Sequence, residues 1–266
     1  MMQLRSFDTI DQRVLAALEF LDANTGARIT APLSLSCEGY GFLRNRAGLY
    51  VINQVVADHW RERRLRKHLA SFEAPLSQPG PGSEHELVTV TDPKAQYLPQ
   101  IFDTALPRVG DDLRTPIQVE LYPSPTALVA PNWSGIRCSL RGNGDLPLIG
   151  ARVRLIRDSD DVVLGQSFTD ERGEALVIAV GIPVIDFSAP ANGNGQGQGN
   201  GAVGAATTLA RLSIETRSTS GWPPHPDRFA ANTTAWRPVQ GALPQLNLRT
   251  GQILTKGLSF SLEPQP

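Results

Sequence analysis

The chain has 266 residues, with 25 basic and 26 acidic side chains and a formal net charge of -1, a length suited to two ordinary domains or one large one. Hydrophobic residues at 41% and charged residues at 19% allow a packed core and exclude global disorder, and the near-zero charge argues against a general polyanion binder. Gly 24 and Pro 21 against only two Cys point to many turns without a disulfide framework, and they exclude collagen, coiled coil and disulfide-rich miniprotein.

The first module runs from about Leu4 to Arg108. Asp8 and Asp11 interrupt any apolar leader, and no apolar run approaches the roughly 20 residues needed to span a bilayer. The expectation is a soluble chain made in the cytoplasm, with no membrane span. Val14, Ala16, Leu18 and Phe20 alternate, as in a half-buried strand; Leu15 and Leu18 also suit a helix, so periodicity alone leaves both open. The turn residues Asp22-Ala23-Asn24-Thr25-Gly26 favour the strand, and the alternating Ile29, Ala31, Leu33 and Leu35 then complete a hairpin. Further strands are expected at Gly48 to Ile52, at Glu86 to Thr91 and around Tyr97 to Leu106.

Between the third and fourth of these strands lies a polar insert, Asp58 to His68, where Leu65, Leu69 and Phe72 at i, i+4 and i+7 predict a short amphipathic helix. Its Arg61, Arg63, Arg64, Arg66 and Lys67 form the one local charge concentration. A solvated helix face is the plain reading. The functional one is a docking surface for an acidic partner, built on Trp60, Arg61, Arg63, Arg64 and Arg66 with Trp60 as anchor. Nucleic acid is not expected, because no aromatic stacking platform interleaves with the charges.

A polar linker at 109–116 separates the modules, and Gln118 to Pro123 is a candidate strand at the start of the second. There Ile136, Cys138 and Leu140 alternate, Gly142 to Asp145 turns, Pro147 to Ile156 is a strand, Asp158 to Asp161 turns, and Val162 to Phe168 returns. Thr169 to Gly173 turns into the strand Glu174 to Ile178. The stretch 189–207 is a low-complexity Gly/Asn/Gln loop between strands. Alternation resumes around Leu209 to Glu215, and Leu246 to Arg249 with Ile253 to Leu262 predicts a terminal hairpin about Thr250-Gly251. Strand, Gly turn, strand and Gly-initiated strand thus recur in both halves. The fold class expected is all-β, with two Ig-like β-sandwich modules at 1–108 and 117–266 and the helical insert in the first.

The residues Leu146-Pro147-Leu148-Ile149-Gly150-Ala151-Arg152-Val153 followed by Thr169-Asp170-Glu171-Arg172-Gly173-Glu174-Ala175 resemble the carboxypeptidase regulatory-like family, a transthyretin-like β-sandwich. The likeness covers about Ile136 to Ile182 and implies a fold, not a function, since such modules accompany peptidases, receptors and structural proteins alike. With Pro131-Asn132-Trp133 before the sandwich and Gly181-Ile182-Pro183-Val184 after it, the wider arrangement resembles accessory proteins of phage-tail-like contractile injection particles.

Catalytic and metal chemistry find little support. His59 and His68, nine apart, fall on roughly opposite faces of a helix, and His85 in Ser83-Glu84-His85-Glu86 has no local co-ligand. Asp158 to Asp161 lacks the spacing of a helix-loop-helix calcium site and reads as a turn. There is no Gly-x-Ser-x-Gly elbow and no Cys-x-x-Cys pair, and Gly193 to Gly201 lacks the ending of a phosphate loop. Transthyretin-like hydrolases end in a Tyr-Arg-Gly-Ser tail, whereas this chain ends Leu262-Glu263-Pro264-Gln265-Pro266. Cys37 and Cys138 read as reduced packing residues, Trp133 as a core filler, and Trp222 and Trp236 as covers of the sandwich edge. The expectation is therefore a protein that is not an enzyme, binds no cofactor or metal, and works as a structural or adaptor subunit among other proteins of a bacterial assembly, a phage-tail-like contractile particle. The alternative is a glycan- or peptide-binding accessory module using exposed Trp222 and Trp236.

Overall fold

The computed structural model describes residues 14–55, 84–106, 108, 115–183, 185–186, 204–205, 207–216, 222–223, 236–239 and 243–260. Among them the structure is all-β, with one short 3₁₀ turn at Asn143–Asp145 and no α-helix. The insert with its expected helix, the residues 109–114 of the linker, and nearly all of the Gly/Asn/Gln loop lie outside the described residues.

The chain divides into two compact units, and it passes between them repeatedly. The first comprises Met1–Phe20, Arg28–Val90 and Phe102–Val119; the second comprises Leu21–Ala27, Thr91–Ile101 and Glu120–Pro266. Strands β1 (Ala16–Asp22), β2 (Ser34–Ser36), β3 (Tyr40–Arg44), β4 (Tyr50–Val55), β5 (Glu84–Thr91), β6 (Gln100–Leu106) and β7 (Ile117–Leu121) form two sheets, ordered β3-β4-β1-β7 and β2-β5-β6.

In the first unit Leu15, Ala16, Ile52 and Leu106 share a core with the partly buried Tyr40, Phe42 and Ile117. Phe20 meets Tyr50 and Phe102 edge-on, with centroids 5.6 and 6.2 Å apart. The expected strand at Val14 to Leu21 is β1, and its turn is as the residues demand. The Asp22 carboxylate accepts from the N–H groups of Asn24 and Thr25, both at 2.9 Å, and Gly26 takes φ 67. The hairpin expected to follow does not extend beyond the turn itself, where Asp22 N–H donates to the Ala27 carbonyl and Ile29 N–H to the Phe20 carbonyl, both at 2.8 Å. The strand in the second run is only β2, which pairs with β5, while β1 takes β4 as its antiparallel partner with Ala16 opposite Ile52. Both sides of β1 are taken by β4 and β7, and Pro32, which has no N–H to give to a ladder, interrupts the run Ile29 to Leu35 even though Ile29 and Leu33 are buried. Strand β3, not anticipated, precedes β4 as a true hairpin closed by Asn45 and Gly48 (φ 82).

In the second unit β8 (Ser134–Arg141), β11 (Glu174–Ala179) and β17 (Ile253–Ser259) form one sheet, ordered β11-β8-β17. The other contains β9 (Arg152–Arg157), β10 (Val163–Phe168), β14 (Thr208–Thr216), β15 (Arg237–Pro238) and β16 (Gln245–Leu248), in the order β10-β9-β14-β15 with β16 also on β14. Two short strands, β12 (Ile185–Asp186) and β13 (Gly204–Ala205), pair with each other. Every second side chain of both sheets enters one core: Ile136, Cys138 and Leu140 from β8, and Val153, Leu155, Leu212 and Ile214 from β9 and β14. Gly165 on β10 lies so close to β11 that a Cβ there would meet the Ile178 carbonyl at 2.0 Å.

The motif that carried the family resemblance closes this core. Thr169, fully buried, accepts from the Ala151 N–H (2.8 Å) and donates to the Leu148 carbonyl (2.5 Å). Asp170 accepts from the N–H groups of Arg172 and Glu174, both at 2.9 Å. Gly173, at φ 75, leaves no room for a Cβ beside the Leu140 carbonyl. Trp133 is only half-buried and packs on a separate small cluster of Ala127, Leu176 and Ile178, not in the main core.

The expected terminal hairpin does not form. Strand β16 pairs antiparallel with β14, whereas β17 leaves for the other sheet and runs parallel to β8. Thr250-Gly251 is thus a crossover between sheets, not a hairpin turn. Gly251 has φ 74 and a Cβ there would stand 2.6 Å from the Pro131 carbonyl, while the Thr250 hydroxyl donates to the Ile182 carbonyl at 2.8 Å.

Candidate partner-binding edge

The hydrogen bonds at the ends of the β8–β17 ladder fix which way each residue of β17 faces. Gly135 N–H donates to the Gln252 carbonyl (3.0 Å), and Phe260 N–H donates to the Arg141 carbonyl (2.9 Å). The register between them is unbroken, from Ile253 opposite Gly135 to Ser259 opposite Arg141. In a parallel ladder successive residues turn both backbone groups to alternate sides. Leu254, Lys256 and Leu258 therefore spend theirs on β8, and Ile253, Thr255, Gly257 and Ser259 present theirs outward. No strand occupies that outer side among the described residues.

Side chains follow the same alternation. Leu254 and Leu258 pack on the main core, and Ile253 packs on the small cluster on the opposite face. Where β16 and β17 part company, Gln245, Leu246, Asn247, Arg249, Gln252, Leu254 and Lys256 line an open groove of about 310 Å³. Its cations are Arg249 and Lys256, and no carboxylate stands among the described residues of its lining. Both cations are exposed, and neither joins an ion pair among the described residues. At the rim the Gln245 amide is held by Asp158 at 2.9 Å.

The carboxylates of the 158–161 turn are spoken for. Arg157 holds Asp160 through two bonds of 2.8 and 2.6 Å, and Arg211 spans Asp158 (3.2 Å) and Asp161 (2.6 Å). The Gln245 amide and then Arg211 hold the Asp158 carboxyl below its usual range, and Arg157 does the same for Asp160. In this turn two arginines are shared among three carboxylates. No group of three or more potential metal ligands occurs among the described residues.

On the outer face of β9 and β14, Arg152 and Arg154 converge on Glu215, which stands directly opposite Arg152. The Arg152 guanidinium lies 4.4 Å from the centre of the Trp236 ring. Trp236 is 9% exposed and sits with Leu98, Tyr122 and Phe168 in an aromatic cluster, where Tyr122 meets Phe168 edge-on at 4.8 Å. Burial first, and then Glu120, push the Tyr122 phenol up to about 12. Trp222 packs on the same cluster. Trp236 is therefore buried and offers no exposed platform of the kind the glycan-binding reading required, while Trp222 is half-buried.

Of the other candidates from the sequence, the basic docking residues Trp60, Arg61, Arg63, Arg64 and Arg66 lie outside the described residues, as do His59 and His68. His85 is exposed on β5 and its Nδ1 is 3.1 Å from Asp103 on the neighbouring β6. Neither Cys37 nor Cys138 is in a disulfide, and burial pushes the Cys138 thiol up to about 12. The outer edge of β17 was missed, because "ILTKGLSF" reads equally well as the second arm of a hairpin. The available signal was Lys256 and Gly257 in mid-strand, residues typical of an unpaired edge.

No family model and no curated protein matches the chain. Among solved structures it is similar to a streptococcal ancillary pilin at 10% identity and a TM-score of 0.25, over 84% of this chain and 49% of the pilin, so it spans about half of that protein's length. It is also similar to a minor pilin of Streptococcus agalactiae at 10% identity and a TM-score of 0.28, over 94% of this chain and 98% of the pilin. At such TM-scores the fold rests on the topology described above. No helix among the described residues is long and apolar enough to cross a membrane.

Proposed function

We propose that the chain is a non-enzymatic structural or adaptor subunit that docks onto other proteins of a larger assembly. The observation that supports this reading is the outer edge of β17, with the backbone groups of four residues in a row, every second one from Ile253 to Ser259, turned outward beside an open groove. By contrast, the charged side chains at Glu215 and at the 158–161 turn are paired within the unit. In this proposal two Ig-like, transthyretin-like modules, 1–108 and 117–266, are linked by 109–116, and the assembly is a phage-tail-like contractile particle. The residues behind the resemblance to such accessory proteins motivate that choice. The basic insert, with Trp60, Arg61, Arg63, Arg64 and Arg66, is a second contact in the same role.

Mass spectrometry of intact native particles tests the proposal. The chain is expected at a fixed ratio to the other subunits through successive purification steps. Its loss from intact particles, with the chain recovered free, overturns the reading.

A further inference from the structure

We infer that the edge of β17 takes up an extended, acidic segment of a partner protein as an added strand; this rests on the adaptor reading above. Two independent features define the segment. The first is backbone geometry. With Gly135 bonded to Gln252 at one end and Phe260 to Arg141 at the other, the residues Ile253, Thr255, Gly257 and Ser259 turn outward in an evenly spaced row. Only an extended polypeptide matches such a row along its length. Gly257 adds no obstacle, since a Cβ placed there meets nothing within 4 Å.

The second feature is charge. A strand laid on that edge directs alternate side chains over the groove at the parting of β16 and β17, where Arg249 and Lys256 stand with no carboxylate among the described residues of the lining. Acidic side chains at every second position of the added strand meet these cations. The same two cations disfavour a second copy of this chain, because antiparallel self-pairing about the middle of β17 sets Lys256 beside its own counterpart. The edge is thus selective by sign: a basic or neutral strand forfeits the attraction, and self-association is repelled.

The test uses the full chain and a fluorescein-labelled decapeptide of alternating Thr and Glu, read by fluorescence anisotropy. Saturable binding is expected below about 1 mM, weakening severalfold as salt is raised from low to about 0.5 M, with no binding of the matching Thr/Lys peptide. Thr255→Pro removes an outward N–H and spares the inward ladder, so it is expected to keep the far-UV circular dichroism and urea midpoint while losing at least tenfold in affinity. Lys256→Glu, at an exposed position, gives a second variant with the same expected loss and no demand on the backbone. No saturation by the Thr/Glu peptide, or equal binding by folded Thr255→Pro and Lys256→Glu, overturns the proposal. A wild-type dimer that Thr255→Pro dissolves also overturns it, in favour of a second copy as occupant. If particles incorporate Thr255→Pro as well as wild type, the adaptor reading stands and this edge proposal alone fails.

Discussion

Replacing Thr169 by Val tests the closing turn of the second unit. The side chains are nearly the same size, so packing is preserved and only the hydroxyl is lost. That hydroxyl serves two buried backbone groups, the Ala151 N–H at 2.8 Å and the Leu148 carbonyl at 2.5 Å, in a residue with no exposed surface. A buried donor or acceptor left without its partner costs about 1–3 kcal/mol. Two of them, less a small gain from the added methyl, give a loss of about 1–5 kcal/mol. Thr169→Ser keeps both bonds and loses one methyl, about 1 kcal/mol. Urea unfolding followed by tryptophan fluorescence reads this unit well, because Trp133, Trp222 and Trp236, three of the four tryptophans, belong to it. With a denaturant slope of about 2–3 kcal/mol/M, the Val variant is expected to lower the midpoint by about 1 M and the Ser variant by well under half of that. A Val variant as stable as the Ser variant would refute the claim that the hydroxyl, and not the methyl, holds the turn.

Gly251→Ala is expected to cost at least about 2 kcal/mol, since it combines φ 74 with a Cβ 2.6 Å from the Pro131 carbonyl; an unchanged urea midpoint would show that the crossover tolerates a side chain. Glu19 accepts from Gln118 (3.1 Å) and from Arg28 (2.5 Å), which hold its carboxyl below the ordinary 4.5. A lowered folded pKa stabilises above 4.5 and loses that contribution as pH falls through the folded value, so Glu19→Gln is expected to flatten the acid limb of a stability–pH profile, and an identical limb contradicts the assignment. Gln100 is fully buried, and neither of its amide atoms has a partner among the described residues, so Gln100→Met is expected to raise the urea midpoint by an amount equivalent to about 1–3 kcal/mol, with a fall as the adverse result. Cys138 is buried with its thiol pushed up to about 12, and Cys37 is half-buried, so Ellman's reagent at pH 8 is expected to titrate Cys37 readily and Cys138 only after unfolding; prompt reaction of both would contradict that burial.

Local chemistry made some elements legible and left others dark. The strand at Val14 to Leu21, the turn at Asp22 to Gly26, and the succession from Ile136 to Ile178 were readable because alternation and positive-φ turn residues are short-range signals. Pairing was not. The run Ile29 to Leu35 looks like the natural mate of β1, yet the distant β4 and β7 take the two sides of β1 and Pro32 breaks the run. The same gap hid the split between β16 and β17. A two-residue turn between alternating runs reads as a hairpin, and nothing in Thr250-Gly251 itself announces that the Ile182 and Pro131 carbonyls wait on the far side. Tertiary contact also reassigned the tryptophans: Trp236 is placed by Phe168 and Arg152, partners 68 and 84 positions away by subtraction of their numbers. The candidate edge needed the parity of a ladder whose rungs join distant segments, and no window of sequence contains that parity.

The bond from the Ser134 hydroxyl to the Arg249 carbonyl spans 115 positions, and β17 beside it is the last strand to leave the ribosome in this stretch of chain. Strand β8 waits for its parallel neighbour while β9, β10, β11, β14 and β16 are made. During that interval its sheet has only β11 and a raw flank made of Gly135, Arg137, Ser139 and Arg141. Closing so large a loop is slow relative to forming a hairpin. The second unit accordingly completes after translation of its strands, and a nascent chain stalled before Ile253 exposes a β8 flank that the finished protein covers.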